Sequence, residues 1–209
     1  YLLPWLIPVM NRQAPNMPLL LEENYTKVLT EKLKKGEVDA MLIATPVEDP
    51  GILSLPLYDE PFQVALPAEH PLRKKKAVSS ADLDAENMLL LGTGHCFRDQ
   101  VLQACPALNR TASGGLAKTL ESSSLETIRH MVASGVGVTV LPCTATRMNY
   151  VDDALLTLRP FSDVPPSRLV SIAWRKSFPR PKAIEAVRQA VLATDLGCVR
   201  KVTPGKRGS

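Results

Sequence analysis

The chain is organised around residues 91–106, which read Leu-Gly-Thr-Gly-His-Cys-Phe-Arg-Asp-Gln-Val-Leu-Gln-Ala-Cys-Pro. Two glycines end the apolar run at 88–91, and from Phe97 onward apolar side chains recur at helical spacing until Pro106. The pattern predicts a buried strand, a short loop and an amphipathic helix with Cys96 at its N-terminus.

The position of Cys96 favours a reactive thiolate. Unpaired backbone N–H groups and the helix dipole attract an anion at a helix N-terminus, Arg98 adds a positive charge and His95 can add another. Cys105 follows nine residues later, about 13 Å along a continuous helix. A disulfide requires Cα atoms within about 7 Å, so the helix must unravel if these two cysteines bond.

A simpler interpretation is that each cysteine is a small buried apolar residue, which is the commonest role of a free cysteine. This alternative is stronger for Cys105, on the apolar face of the predicted helix. It is weaker for Cys96, which follows two glycines and lies between His95 and Arg98.

Residues 94–101, with a second cysteine nine residues after the first, resemble the signature of the peroxide-sensing LysR-type transcriptional regulators. The similarity runs from the opening residues 1–8 through 124–129 to the last predicted helix. It covers only the regulatory half of such proteins. The chain begins without methionine and carries no helix-turn-helix motif, so we expect it to be a fragment.

The resemblance implies an α/β fold. The expected fold is the two-lobed effector domain of LysR-type regulators, which is similar to periplasmic binding proteins and has mixed sheets flanked by helices. The implied division is a first regulatory subdomain at 1–60, lacking its first strand, a second subdomain with the redox cysteines at 61–165, and a return to the first subdomain plus a tail at 166–209.

The resemblance also implies a mechanism. Hydrogen peroxide would oxidise Cys96 to a sulfenic acid, which Cys105 would capture as a disulfide, and this would change subunit arrangement and DNA binding. The expected partners are a second copy of the chain in a dimer, a tetramer in the full-length protein, and promoter DNA bound through an N-terminal helix-turn-helix absent from this chain. A cytoplasmic location is expected.

Seven polar residues are candidates for a peroxide or effector pocket. His95, Arg98 and Asp99 lie near Cys96 in the sequence, whereas the resemblance implies the other four. Arg168 could instead be a surface residue at the hinge, and four others also have a structural interpretation. Thr26 and Ser123 suit helix N-caps, and capping also accounts for Ser124. Asp99 suits the first turn of a helix, where it stabilises the dipole. The full set is Thr26, His95, Arg98, Asp99, Ser123, Ser124 and Arg168.

Elsewhere in the chain, strand and helix patterns alternate, which predicts an α/β unit with a parallel sheet. Ser123 and Glu126 resemble a capping box. Residues 59–61 are the predicted crossover between two strands that leave the first unit. Residues 107–118 are a predicted flexible loop, and residues 197–209 a predicted loose basic tail. The predicted helices cover 2–10, 26–35, 80–83, 124–134 and 184–192, and the predicted strands cover 19–21, 40–44, 54–58, 62–66, 88–91, 138–141, 155–158 and 169–174.

Composition excludes several classes of function. The net charge is +4, but four basic residues lie in the last ten, which leaves 21 basic against 21 acidic residues in the body. A neutral body argues against nucleic-acid binding by this part of the chain, and the basic run 73–76 is interpreted as a solvated loop. The four cysteines and three histidines lack the spacing of a metal site, so no metal or cofactor is expected. The apolar opening 1–10 is too short to span a bilayer.

Two alternative functions remain open. The chain could be a LysR-type domain that binds a small organic effector, with the cysteines incidental. It could also be a thiol peroxidase, but no segment resembles a thioredoxin-type active site. The leading prediction is therefore a sensor that is not an enzyme.

Overall fold

The computed structural model describes residues 1–106, 120–147, 154–162 and 164–202. These residues form five α-helices and eight β-strands. The helices are α1 (Leu3–Gln13), α2 (Thr26–Lys35), α3 (Cys96–Ala104), α4 (Leu125–Ala133) and α5 (Pro181–Ala193). The strands are β1 (Ala40–Ile43), β2 (Ile52–Pro67), β3 (Leu89–Leu91), β4 (Leu120–Ser122), β5 (Thr139–Pro142), β6 (Leu156–Pro160), β7 (Ser167–Arg175) and β8 (Arg200–Lys201).

The chain divides into two compact units, one made of residues 1–60 and 168–209 and the other of residues 61–167. In the first unit, β1 pairs antiparallel with β7, with Ala40 opposite Trp174. Both faces of β1 are covered, since Met41 packs in one apolar cluster with Leu33 of α2 while Leu42 contacts the other cluster. The prediction of a strand buried on both faces is confirmed.

In the second unit, β3 and β4 pair in parallel, with Leu90 opposite Glu121. The end of β2 pairs antiparallel with both β5 and β6. A bridge between Met88 and Val138 brings β5 alongside β3 in parallel. The β3–β4 pair is the part of the fold that positions the candidate site.

The prediction of a parallel sheet is only partly correct. The pairings β1–β7, β2–β5, β2–β6 and β2–β8 are antiparallel, whereas β3–β4 is parallel. An apolar run shows that a strand is buried but not which strand will lie beside it. The partner of β1 comes from a segment more than a hundred residues away, which local periodicity cannot identify.

Residues 54–66 form one continuous strand and not two, but the predicted crossover at 59–61 lies where the first compact unit ends and the second begins, between Glu60 and Pro61. Strand β2 runs through Pro61, which has no N–H to donate. The next residue, Phe62, restores the main-chain pairing because its N–H donates to the Pro166 carbonyl over 2.8 Å.

Two other local predictions fail. Residues 19–21 are not a strand: Leu20 is fully exposed, and none of the strand pairings of the described chain involves these residues. The predicted loose tail is wrong for Arg200 and Lys201, because they pair as β8 with Asp59 and Tyr58 of β2. The predicted loop at 107–118 lies outside the described residues.

Candidate redox site

Helix α3 has a cysteine at each end. Cys96 is its first residue, preceded by His95 as N-cap in an extended conformation and by Gly94 with a φ of 96°. Cys105 ends the helix, and its N–H donates to the Val101 carbonyl over 2.9 Å. The predicted helix, with Cys96 at its N-terminus, is confirmed.

Apolar contacts hold α3 in place. Phe97 and Val101 are buried, and the Phe97 ring meets the Phe62 ring of β2 edge to face, with centroids 5.1 Å apart. An edge-to-face pair adds to the gain from burial alone. The first turn of α3 is therefore fixed to the strand behind it.

The two cysteines occupy different environments. Both are free, with Cys96 half-buried and Cys105 fully buried. Burial raises the pKa of the Cys105 thiol to about 11, and the negative charge of Asp84 adds to the effect. The intact helix between the cysteines keeps them about 13 Å apart along its axis, beyond the reach of a disulfide.

Two helices begin at the same edge of the β3–β4 pair. Because the strands are parallel, α3 follows the end of β3 and α4 follows the end of β4 at that edge. The Gly92 N–H donates to the Ser122 carbonyl over 2.9 Å. This hydrogen bond joins the loop that follows β3 to the end of β4. The N-terminus of α3 is the positive end of the helix dipole, which favours an anion near Cys96.

The predicted cap of α4 is displaced by one residue. The N-cap is Ser124, whose Oγ accepts a hydrogen bond from the Thr127 N–H over 3.4 Å. Ser123 is exposed and lies one residue before the cap. The capping box with Glu126 is therefore wrong, because the third helical residue is Thr127.

Arg98 links three elements. Its Nη1 donates to the Leu91 carbonyl at the end of β3 over 2.9 Å and to Glu121 Oε1 of β4 over 2.6 Å. The first turn of α3 is thus tied to both parallel strands. The positive charge predicted beside Cys96 is paired with a carboxylate that sequence reasoning did not identify.

The other predicted residues of this unit lie on or beside α3. His95 is half-buried at the N-cap and its side chain makes no capping hydrogen bond. Asp99 is exposed in the first turn, where a negative charge suits the dipole of α3. Both positions are close in sequence to Cys96, so the local helix alone brings them near it.

Thr26 and Arg168 belong to the first compact unit. Thr26 is the first residue of α2, and Tyr25 is the N-cap, so the capping interpretation of Thr26 is wrong. Arg168 is the second residue of β7, and its Nε lies 2.6 Å from Glu60 Oε2. It lies at the boundary between the two units, as its structural interpretation expected, but it is not a plain surface residue, since the carboxylate it pairs with is 1% exposed.

Sequence reasoning also missed Gly137. A Cβ at this position would lie 2.3 Å from the Asn87 carbonyl oxygen. The neighbouring Val138 N–H donates to that same carbonyl over 2.9 Å, so the close approach is part of the pairing beside β3. A glycine directly before an apolar strand was the available signal.

The remaining cysteines are not free thiols. Cys143 and Cys198 are disulfide-bonded. Among the described residues, no group of three or more His, Cys, Asp or Glu side chains is arranged to hold a metal ion. The helices of the described chain lack the length and apolar character needed to cross a bilayer.

Comparisons with known proteins agree with the fold. Residues 1–195 match the LysR substrate binding domain. The chain is 48% identical to a reduced form of OxyR from N. meningitidis, with a TM-score of 0.89 over 97% of this chain and 94% of that one. It is 51% identical to the reduced OxyR regulatory domain from Pseudomonas aeruginosa, with a TM-score of 0.84 over 92% and 91% of the two chains.

A curated relative points to the same group of regulators. The probable hydrogen peroxide-inducible genes activator of Streptomyces viridosporus is 34% identical over 191 residues, which are 91% of this chain and 60% of the relative. The chain thus spans about three fifths of that relative's length. The match over residues 1–195 and the shared fold lead to one conclusion: the chain belongs to the LysR substrate-binding domain family.

Proposed function

We propose that this domain is the peroxide-sensing regulatory part of a LysR-type transcription factor. The observation that carries the proposal is the pair of free cysteines at the two ends of one continuous helix, one half-buried and one fully buried. Regulators similar to this chain are named for activation of hydrogen peroxide-inducible genes, which supports the choice of oxidant.

The first step is oxidation of Cys96. Its thiolate sulfur attacks one oxygen of hydrogen peroxide, an S–O bond forms and the O–O bond breaks. The departing hydroxide takes a proton and leaves as water. The N-terminus of α3 provides a positive potential that favours the attacking anion.

The second step joins the two sulfurs. The Cys105 sulfur attacks the sulfenic sulfur, an S–S bond forms, the S–O bond breaks and the hydroxyl leaves as water with the thiol proton. In total, two thiols lose two electrons and one peroxide becomes two waters. Because burial raises the pKa of Cys105 to about 11, its thiolate becomes available only when the residue leaves its buried position.

The disulfide therefore requires α3 to unravel, and this makes the oxidation a conformational signal. We propose that the change alters how two copies of the chain pair. The altered pairing would change how the DNA-binding helix-turn-helix segments of a dimer, or of a tetramer in the whole protein, meet promoter DNA in the cytoplasm. The candidate pocket residues Thr26, His95, Arg98, Asp99, Ser123, Ser124 and Arg168 remain part of this proposal.

The test is peptide mass spectrometry of the reduced domain after addition of one equivalent of hydrogen peroxide. We expect a disulfide between Cys96 and Cys105. The loss of helix, measured by circular dichroism, should occur at the same rate as the formation of this disulfide. A new link that joins Cys96 or Cys105 to a different cysteine, or a rate no faster than that of free cysteine, would contradict the proposal.

Single substitutions separate the roles of the two cysteines. Cys96→Ser should lose the fast reaction, whereas Cys105→Ser should stop with Cys96 as a sulfenic or more oxidised acid. Continuous peroxide consumption with thioredoxin as reductant would instead indicate a thiol peroxidase. A melting temperature that responds to carboxylates or aromatics but not to peroxide would indicate an effector-binding domain.

A further inference from the structure

Glu121 contacts the segment that must rearrange on oxidation, although it lies outside that segment. Its carboxylate holds Arg98, which is located between the two candidate redox cysteines on α3. Glu121 itself is on β4, opposite Leu90 of β3. The ion pair therefore connects α3, which rearranges, to β4, which lies outside the rearranging helix.

The geometry of this pair is specific. Arg98 Nη1 donates to both Glu121 Oε1 and the Leu91 carbonyl, over 2.6 Å and 2.9 Å. The Arg98 side chain is 17% exposed and that of Glu121 is 42% exposed. The arginine is thus largely removed from water, whereas the carboxylate stays partly hydrated, and solvent weakens the pair accordingly.

The pair can exist only while α3 is intact. Cys96 and Cys105 are about 13 Å apart along the helix axis and must approach to within about 7 Å between Cα atoms. That approach unwinds the residues between them, including Arg98, so the guanidinium leaves the position from which it reaches β3 and β4. The reduced form has this ion pair and the disulfide form loses it.

We infer that Glu121 is a positioning residue that sets the redox equilibrium of the Cys96–Cys105 pair through Arg98. An interaction present in the dithiol form and absent from the disulfide form favours the dithiol form. Glu121 thereby determines how oxidising the surroundings must become before the helix opens. This inference rests on the proposed function.

The experiment measures the thiol–disulfide equilibrium of the Cys96–Cys105 pair in the full 209-residue chain, in mixtures of reduced and oxidised dithiothreitol, with peptide mass spectrometry to distinguish this pair from Cys143 and Cys198. In this exchange the buffer dithiol is oxidised to its cyclic disulfide as the protein disulfide is reduced. The variant Glu121→Gln keeps the size of the side chain and removes its charge. We expect its equilibrium to shift about two- to fivefold toward the disulfide, the range expected for a partly exposed ion pair.

Two readouts separate this role from a purely structural one. The difference between Glu121→Gln and the unmodified chain should shrink between 0.05 M and 1 M salt, because salt screens the exposed part of the pair. In a double-mutant cycle with Arg98→Met, the effect of Glu121→Gln should disappear, because the partner is already absent.

The matched control is Glu69→Gln. Glu69 is a glutamate of the same unit that pairs with Arg73 over 3.1 Å, outside the segment between the cysteines. A shift in Glu121→Gln no larger than that in Glu69→Gln, or a shift that salt leaves unchanged, would overturn the inference. If the unmodified chain forms no Cys96–Cys105 disulfide, the proposed function fails instead, so the two failures are distinct.

Discussion

Glu60 Oε2 lies 2.6 Å from Arg168 Nε, and the two residues are 108 positions apart in the chain. Glu60 is 1% exposed, and the side chain of Arg168 is 19% exposed. The preceding residue of β2, Asp59, also pairs with an arginine, but Arg200 is 75% exposed. Neighbouring residues of a strand face opposite sides, so β2 has a buried ion pair on one side and an exposed one on the other.

These two pairs predict unequal effects of removing the arginine. Arg168→Ala removes the guanidinium that pairs with the buried Glu60 carboxylate, and we expect a loss of about 3–5 kcal/mol in the free energy of unfolding. Arg200→Ala should cost at most about 1 kcal/mol, as is usual for exposed pairs. Urea denaturation of both variants measures the difference, and equal losses would contradict the assignment of the buried pair.

A second prediction concerns the anchor of α3. Phe97→Ala removes a buried ring and its edge-to-face contact with Phe62, so we expect a loss of about 3–5 kcal/mol. Phe97→Leu retains most of the apolar volume and should lose much less. Chemical denaturation checks both values, and a loss below about 1 kcal/mol for Phe97→Ala would show that the ring is not part of the core.

A third prediction concerns thiol accessibility in the reduced protein. Iodoacetamide should modify Cys96 before Cys105 at neutral pH. Cys105 is fully buried, and burial raises its pKa to about 11, which keeps its thiol protonated. A time course followed by mass spectrometry gives the order of modification. In denaturant the two rates should converge, and equal rates in the folded protein would contradict the burial of Cys105.

The raised pKa of Cys105 also predicts how stability depends on pH. The folded pKa of about 11 lies above the ordinary value of 9.0, so the folded state holds the proton more tightly than the unfolded state. The contribution of the protonated Cys105 thiol to the stability of the fold is complete below pH 9 and is lost as the pH rises toward 11. Unfolding measured from pH 8 to 11 should show a steeper loss for the unmodified chain than for Cys105→Ala, which lacks the titrating thiol.

A fifth prediction concerns the strand beside β3. A methyl group at Gly137 would lie 2.3 Å from the Asn87 carbonyl oxygen, and since that oxygen is backbone, the strand must shift. We expect Gly137→Ala to cost about 1–3 kcal/mol through overpacking. Gly135→Ala is the control, because its φ is 79° and nothing lies within 4 Å of the added Cβ. That change should cost about 1 kcal/mol through backbone strain alone.

Local patterns predicted many of the elements correctly. The glycines before Cys96, the apolar spacing after it and Pro106 were enough to place α3 and its two cysteines. The predicted helix at 26–35 ends at Gly36, whose φ is 82°. Helix periodicity and chain-breaking residues act over a few neighbouring positions, so the sequence contains this information directly.

The errors arose where a residue depends on partners far along the chain. Pro61 suggested a break, but β2 continues through it because neighbouring strands support both halves. Residues 19–21 are apolar but have no strand pairing. The cap of α4 was displaced by one residue because two adjacent serines satisfy the same sequence pattern.

The amino-acid sequence by itself determined that one cysteine begins a short helix and that a second cysteine ends it. Only the tertiary structure decided that Arg98 pairs with Glu121, that Glu60 pairs with Arg168 and that β1 lies antiparallel to β7. Helices form from contacts between residues three or four positions apart, whereas ion pairs and strand pairings join distant segments. Those distant contacts exist only after the whole chain has folded.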